Sequence, residues 1–312
     1  MASGSAHFRL KQWFHRTGWR STIIATPYVW LLAFFFLPFL IVLVMSLATQ
    51  ADVSPPFAFG AEWPYVTFDN IARLFEDSLY IRAYLISISN AAITTVICLI
   101  IGYPMALCLT RVGKTWRNIF LMLVILPFWT SFLLRVYAWI GLMGTNSWFN
   151  KGLTFLYNTL VPSDTALTSI PMMNSNFAVI LVMVYSYLPF MVLPLYANLE
   201  RLDFTLNEAS MDLGSRPWRV FLDITLPLSI PGIIAGGLLV FIPASGEFVI
   251  PSLVGDASDP MIGRVIGDEF TAARDWPMAS TVAVALLILL VLPTMAYTHF
   301  DSKAQAAREP NP

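Results

Sequence analysis

Six stretches of this 312-residue chain are almost free of charge, and each is long enough to cross a lipid bilayer. Residues 21–51, 83–110, 165–199 and 276–300 contain no Asp, Glu, Lys or Arg; residues 118–144 contain only Arg135, and residues 224–255 only Glu247. A helix crossing the hydrocarbon core takes about 20 apolar residues, because every backbone polar group there has to be bonded within the chain. The pattern predicts an all-α membrane protein with six transmembrane helices near 23–48, 83–110, 118–143, 176–199, 228–251 and 279–299. A composition of 57% hydrophobic and 12% charged residues excludes a soluble globule and a disordered chain. A net charge of −1 leaves no field for nucleic acid.

Arg9, Lys11, Arg16 and Arg20 ahead of the first stretch imitate a signal peptide. The uncharged run of 31 residues exceeds the ~7–15 of a signal's apolar region, so a retained first helix is expected. Residues 7–20 mix basic side chains with Phe8, Trp13, Phe14 and Trp19, the pattern of an interfacial anchor. With the N-terminus cytoplasmic, 12 of the 18 basic residues fall in cytoplasmic segments and 5 in external loops. This agrees with the positive-inside rule and places both termini in the cytoplasm. The division is then a cytoplasmic segment 1–22, a membrane domain 23–299 and a tail 300–312. External loops carry 11 acids, a field of the right sign to gather cations.

Little in the chain points to catalysis. Cys98 and Cys108 lie ten residues apart, about 15 Å on a helix, too far for a disulfide; two buried structural thiols are expected. His7, His15 and His299 lie near the chain ends. Gly113-Lys114-Thr115 lacks the upstream glycine of a phosphate-binding loop, since position 108 is Cys. Neither metal, cofactor nor intrinsic ATPase activity is expected. Proline is dense in the spans, and Pro27, Pro38, Pro104, Pro127, Pro189, Pro194, Pro231 and Pro243 are expected to kink them. Gly232, Gly236 and Gly237 should admit a close helix neighbour.

The cytoplasmic segment 200–227 is amphipathic. Thr205 and Glu208 have capping-box spacing, Gly214 suits a helix-ending position, and Pro217 suits a helix start. A helix over Leu206–Leu213 and a second short one are predicted.

Glu208-Ala209-Ser210-x-x-x-Gly214, then nine residues, then Ile224-x-Leu226-Pro227, resembles the EAA motif of type I ABC importer permeases, with Ser210 where the family has Ala. That resemblance implies a coupling helix docking on a separate ATPase subunit. Its contact would be carried by Glu208, Ala209 and Gly214, with Ser210, Asp212 and Arg216 beside them. Further segments, among them Arg135-Val136-Tyr137-Ala138-Trp139 and Gly246-Glu247-Phe248-Val249-Ile250-Pro251, resemble the polyamine permeases, closest to the first permease of putrescine importers, with the spermidine permeases near neighbours. The resemblance implies an inner-membrane permease forming half of an alternating-access path. Its partners would be a homologous second permease, two ATPase subunits using ATP and Mg, and a periplasmic polyamine-binding protein.

Glu247 is the one acid within a predicted span, a candidate for an ammonium group or for pairing with Arg135. Trp129, Tyr137, Trp139, Tyr185 and Tyr187 offer aromatic faces for methylene and cation–π contact. Asp275 and Trp276 suit an outer gate or binding-protein contact, or a helix cap beside an interfacial ring. A gradient-driven secondary transporter is the rival class, and it would want more intramembrane charge and an internal repeat.

Overall fold

The computed structural model describes residues 23–60, 66–161 and 167–306, with 292, 293 and 296–306 as backbone alone. The proposed anchor at residues 7–20 lies outside them. Apart from one short strand pair, the regular elements are helices. In chain order they are α1 (Ile23–Met45), β1 (Thr49–Gln50), β2 (Phe57–Ala58), α2 (Asp69–Glu76), α3 (Ser78–Arg111), α4 (Lys114–Ile125), α5 (Phe132–Met143), α6 (Trp148–Leu160) and α7 (Asn176–Leu199). There follow α8 (Thr205–Asp212), α9 (Pro217–Ser245), α10 (Val249–Val254), α11 (Ile262–Thr271) and α12 (Trp276–Ala306).

Among the described residues four helices, α1, α3, α7 and α9, are long and apolar enough to span a membrane. The pair Lys114–Trp129 and Phe132–Met143 makes a fifth if counted as one span, but it is bent by 93°. The helix predicted over 118–143 is therefore two helices, and the kink expected at Pro127 is a break rather than a bend within one helix. A 3-10 turn at Leu126–Trp129 holds Pro127, and Thr130 is extended, so the backbone changes direction there. The apolar part described for the last helix, Trp276–Val291, is shorter than a full span. Pro104, Pro189, Pro194, Pro231 and Pro243 stay inside continuous helices. Proline density alone did not locate the sharp bend.

The chain divides into two compact units. The larger, Asp77–Asp268 with Leu292–Pro312, is built on α3, α7 and α9. Contacts fix their directions. Asn90 meets Asn176, Cys98 meets the Val184 carbonyl, and Gly102 faces Met191, so α3 and α7 run parallel. Gly232 faces Asn198 and Gly236 faces Met191, so α9 runs antiparallel to α7. The rings of Phe128 with Phe190 and Trp139 with Tyr185 give the bent pair the same antiparallel sense. Direction thus alternates from one span to the next, as consecutive crossings require.

Within lipid the hydrophobic effect does not drive helix against helix, so close packing and polar links decide. A Cβ at Gly236 would lie 3.0 Å from the Met191 carbonyl oxygen, so this glycine sets the α7–α9 approach. Gly237 has only an ordinary 3.8 Å neighbour and does not share that role. Cys98 is buried in this core, whereas Cys108 is exposed, against the expectation of two buried thiols. Reciprocal amide bonds between Asn90 and Asn176, at 2.6 and 2.9 Å, tie α3 to α7. The Ser87 hydroxyl accepts the Ile262 amide at 2.7 Å.

The smaller unit combines residues up to Glu76 with Glu269–Val291. Asn70 donates to the carbonyls of Ser46 (3.1 Å) and Ala48 (2.8 Å), holding α2 against the turn that ends α1. The ribbon pairs Thr49 with Ala58 and Gln50 with Phe57.

Candidate functional site

The predicted cytoplasmic segment forms one short helix, α8, joined by a tight turn to the start of α9, so the second short helix expected there is instead the base of a long one. Its start differs from expectation. Thr205 is the first helical residue rather than the cap, and the Asp203 carboxylate accepts the Thr205 amide at 3.0 Å. A carboxylate is the stronger acceptor at a helix N-terminus, where the dipole favours negative charge. Hydrogen bonds from Thr205 hold the Asp203 carboxyl below its ordinary pKa. The capping box drawn between Thr205 and Glu208 is therefore not formed, and the helix starts one residue early.

The end of α8 is as expected. Gly214 has φ +88°, its amide bonds the Met211 carbonyl at 2.9 Å, and the Ser215 amide bonds the Ser210 carbonyl at 3.1 Å. This pair of bonds is the Schellman motif, which needs a residue that tolerates positive φ. A Cβ at Gly214 would meet nothing within 4 Å, so backbone conformation alone demands the glycine. Pro217 then opens the next helix, with Arg216 at its cap.

Helix α8 has no buried residue, and Glu208, Ala209, Asp212, Gly214 and Arg216 are exposed, with Ser210 half-buried. Leu213 is 89% exposed and Trp218 56%. Two helical turns with so little packing are marginal alone. One side-chain link was not legible in the sequence: Asn207 donates to the Thr225 hydroxyl at 3.1 Å, joining α8 to the base of α9. Nearby, Arg117 pairs with Glu200 at 2.8 Å where α7 ends.

At the other end of α9 the predicted span is interrupted. The helix stops at Ser245, and Glu247 lies in the break before α10 rather than inside a helix. It is 8% exposed. One carboxylate oxygen accepts the amides of Val249 (3.0 Å) and Ile250 (3.4 Å); the other accepts the Tyr187 hydroxyl from α7. Glu247 thus caps α10 and binds the break to α7. Helix α11 lies against this break, where a Cβ at Gly263 would overlap the carbonyls of Gly246 and Glu247.

The proposed Arg135–Glu247 pair does not form. The Arg135 guanidinium lies 5.8 Å from the Phe128 ring centre and 5.6 Å from that of Phe132. Its Nε and Nη1 are buried without hydrogen-bond partners. Of the five candidate aromatics, Tyr187 reaches Glu247, and Trp139 meets Tyr185 edge-on at 5.6 Å. Trp129 (76% exposed) and Tyr137 (58%) make no ring contact among the described residues. Asp275 is buried, accepts the Met278 amide at 3.0 Å and pairs with Arg73 at 3.0 Å. Trp276 stacks on Phe270 at 4.8 Å. These contacts make Asp275 a helix cap with its own cation.

A polar cavity of about 290 Å³ is lined by Asn90, Asn176, Asp256 and Asp259 among others. Arg82 pairs with Asp259, and Arg264 lies against the Asp256 carbonyl at 3.3 Å. Arg264 also pairs with Asp268 at 3.7 Å, so both arginines beside the cavity are ion-paired, whereas Glu247 has no ion-pair partner among the described residues.

Residues 98–305 match the model of a family described as "Binding-protein-dependent transport system inner membrane component". The chain is 40% identical over 276 residues to the spermidine/putrescine transport system permease protein PotB of Haemophilus influenzae, covering 88% of this chain and 91% of that one. It is 39% identical to PotB of Escherichia coli K12, covering 88% and 95%. In fold it is similar to a chain in the crystal structure of a bacterial alginate ABC transporter in complex with alginate pentasaccharide-bound periplasmic protein. The TM-score is 0.71 at 15% identity, covering 95% of this chain and 98% of that chain.

Proposed function

The chain belongs to the family of binding-protein-dependent transport system inner membrane components, and from that premise we propose that it is a permease subunit of an ATP-driven polyamine importer, with putrescine as first substrate. It forms half of an alternating-access path in the bacterial inner membrane. A homologous second permease completes the path, two cytoplasmic ATPase subunits supply ATP hydrolysis with Mg, and a periplasmic binding protein delivers the polyamine. Six crossings with both termini inside agree with the distribution of basic residues.

The observation that carries this is the exposed helix Thr205–Asp212, closed by Gly214 and bearing Glu208, Ala209 and Ser210. An exposed, weakly packed helix with apolar tips suits docking into a partner. The polyamine class is supported by the two relatives, both spermidine/putrescine transport system permease proteins. The chemistry agrees: a polyamine carries ammonium groups on methylene spacers, and Glu247 is the buried acid of the path, with Tyr187 bound to it. An arriving ammonium group offers that carboxylate a charged donor in place of the neutral hydroxyl.

The test is reconstitution of the complex in proteoliposomes with binding protein loaded with putrescine, spermidine or neither. Stimulation of ATP hydrolysis by a polyamine-loaded protein, strongest with putrescine, is the expected outcome. Stimulation by spermidine alone moves the substrate to its neighbour. No stimulation by either overturns the polyamine assignment.

A further inference from the structure

Helix α9 contains a π turn, Phe221–Thr225, at its base, and three contacts converge on it. Thr225 is buried and accepts the bond from Asn207 of the exposed helix α8. Tyr103 of α3 touches both sides of the turn: its ring meets Phe221 edge-on at 5.5 Å, and its hydroxyl lies 2.9 Å from the Ser229 hydroxyl. A π turn inside an α-helix is rare, and such turns are found frequently at functional sites. Among the described residues, Asn207 makes the one side-chain hydrogen bond from α8 to α9.

The geometry points to Asn207 and Thr225 as positioning residues that transmit movement of α8 into α9, with the π turn as hinge and Tyr103 as fulcrum. The reason is mechanical. Helix α8 buries nothing, so apolar packing gives it little grip on the bundle. The Gly214 turn is held by its own backbone bonds, which end at Ser215 and do not reach the π turn. A rigid link across that turn has to be a specific bond, and Asn207–Thr225 bridges it. Force applied to α8 then acts on Thr225 below the Tyr103–Ser229 contact. The helix above it ends at Ser245, directly before the Glu247 break. Displacement at the base therefore reaches the substrate path along one continuous helix. This inference rests on the reading of residues 205–214 as the coupling helix.

The experiment uses the complete complex in proteoliposomes with polyamine-loaded binding protein, measuring polyamine transported per ATP hydrolysed. Thr225→Val keeps the buried shape and removes the acceptor; Asn207→Leu removes the donor at a half-buried site; Thr225→Ser keeps the hydroxyl. We expect the first two to lower the transport-to-hydrolysis ratio about fivefold, roughly the equilibrium factor of one net hydrogen bond. ATPase co-purification should be unchanged, and Thr225→Ser should retain the native ratio. A native ratio in both Val and Leu variants overturns the inference, as does a lowered ratio accompanied by loss of the ATPase subunit. The coupling reading itself is checked in parallel with Gly214→Leu. If that variant uncouples while Asn207→Leu and Thr225→Val do not, this inference alone fails; if none of the three uncouples, the coupling reading fails as well.

Discussion

The two ends of helix Pro217–Ser245 are held in opposite ways. Below it, residues 203–217 include no buried residue and are shaped mainly by their own backbone: an Asp203 turn, a Schellman closure, and a proline start. Above it, the Glu247 break is buried and shaped by a side chain that satisfies two amides and a tyrosine from another helix. An element closed by local bonds keeps its form while its surface stays free for a partner. An element closed by distant bonds exchanges partners only by disturbing the bundle. The first arrangement suits docking, and the second suits a contact that changes with the state of the path.

The largest expected effect comes from breaking the lower end. Gly214→Leu forces a branched side chain into positive φ, costing about 1 kcal/mol of backbone strain, and alters the docking turn. Transport in proteoliposomes should fall by about tenfold or more while membrane insertion and basal ATP hydrolysis persist. Normal transport would remove the segment from coupling.

The upper end separates charge from structure. Glu247→Ala leaves the Val249 and Ile250 amides and the Tyr187 hydroxyl without their acceptor, so the purified complex should lose about 3 kcal/mol against thermal unfolding. Glu247→Gln retains an acceptor oxygen and should unfold near the native midpoint, yet transport putrescine about tenfold more slowly at low concentration. Native uptake by the Gln variant would leave Glu247 a structural cap alone.

Arg135 offers a smaller test. Its two unbonded buried groups are unfavourable, and its contacts with Phe128 and Phe132 are favourable by a similar amount. Arg135→Met should therefore shift stability by no more than about 1 kcal/mol, read from the thermal midpoint in detergent. A large loss would show that the guanidinium holds the 93° bend.

The smallest effect is expected at Asp203, whose carboxyl is held below its ordinary pKa by bonds from Thr205. A lowered pKa means stabilisation that is present above the ordinary carboxyl range and lost as pH falls through the folded value. Amide exchange over residues 205–208 should accelerate on acidification, and Asp203→Ala should remove that pH dependence. Exchange that ignores both changes would transfer the cap to another group.

The apolar stretches located four full spans to within a few residues at most of their ends, because length and lack of charge are local properties. The helix Asn176–Leu199 was found at its predicted limits, and Ser175 caps it. The Gly214 turn was equally legible, since positive φ is a property of one residue. The Thr205 cap was misplaced because Asp203, two residues earlier, is the better acceptor, a competition that spacing alone does not rank. The pathway candidates were least legible. Residue type made Trp129, Tyr137 and Tyr187 equivalent, yet only Tyr187 reaches Glu247.

By itself the sequence determined that this chain is helical and membrane-spanning, where the helices Ile23–Met45, Ser78–Arg111 and Asn176–Leu199 lie to within about five residues, and that residues 205–217 form a helix, a tight turn and a new helix. Each follows from hydrophobic length or the conformational limits of one or two residues. Only the tertiary structure decided that the span predicted over 228–251 breaks at Glu247, that this acid takes Tyr187 rather than Arg135, and that Asn207 reaches Thr225. Those contacts join residues 18 or 60 positions apart, and the packing of α3, α7 and α9 brings them within hydrogen-bond distance.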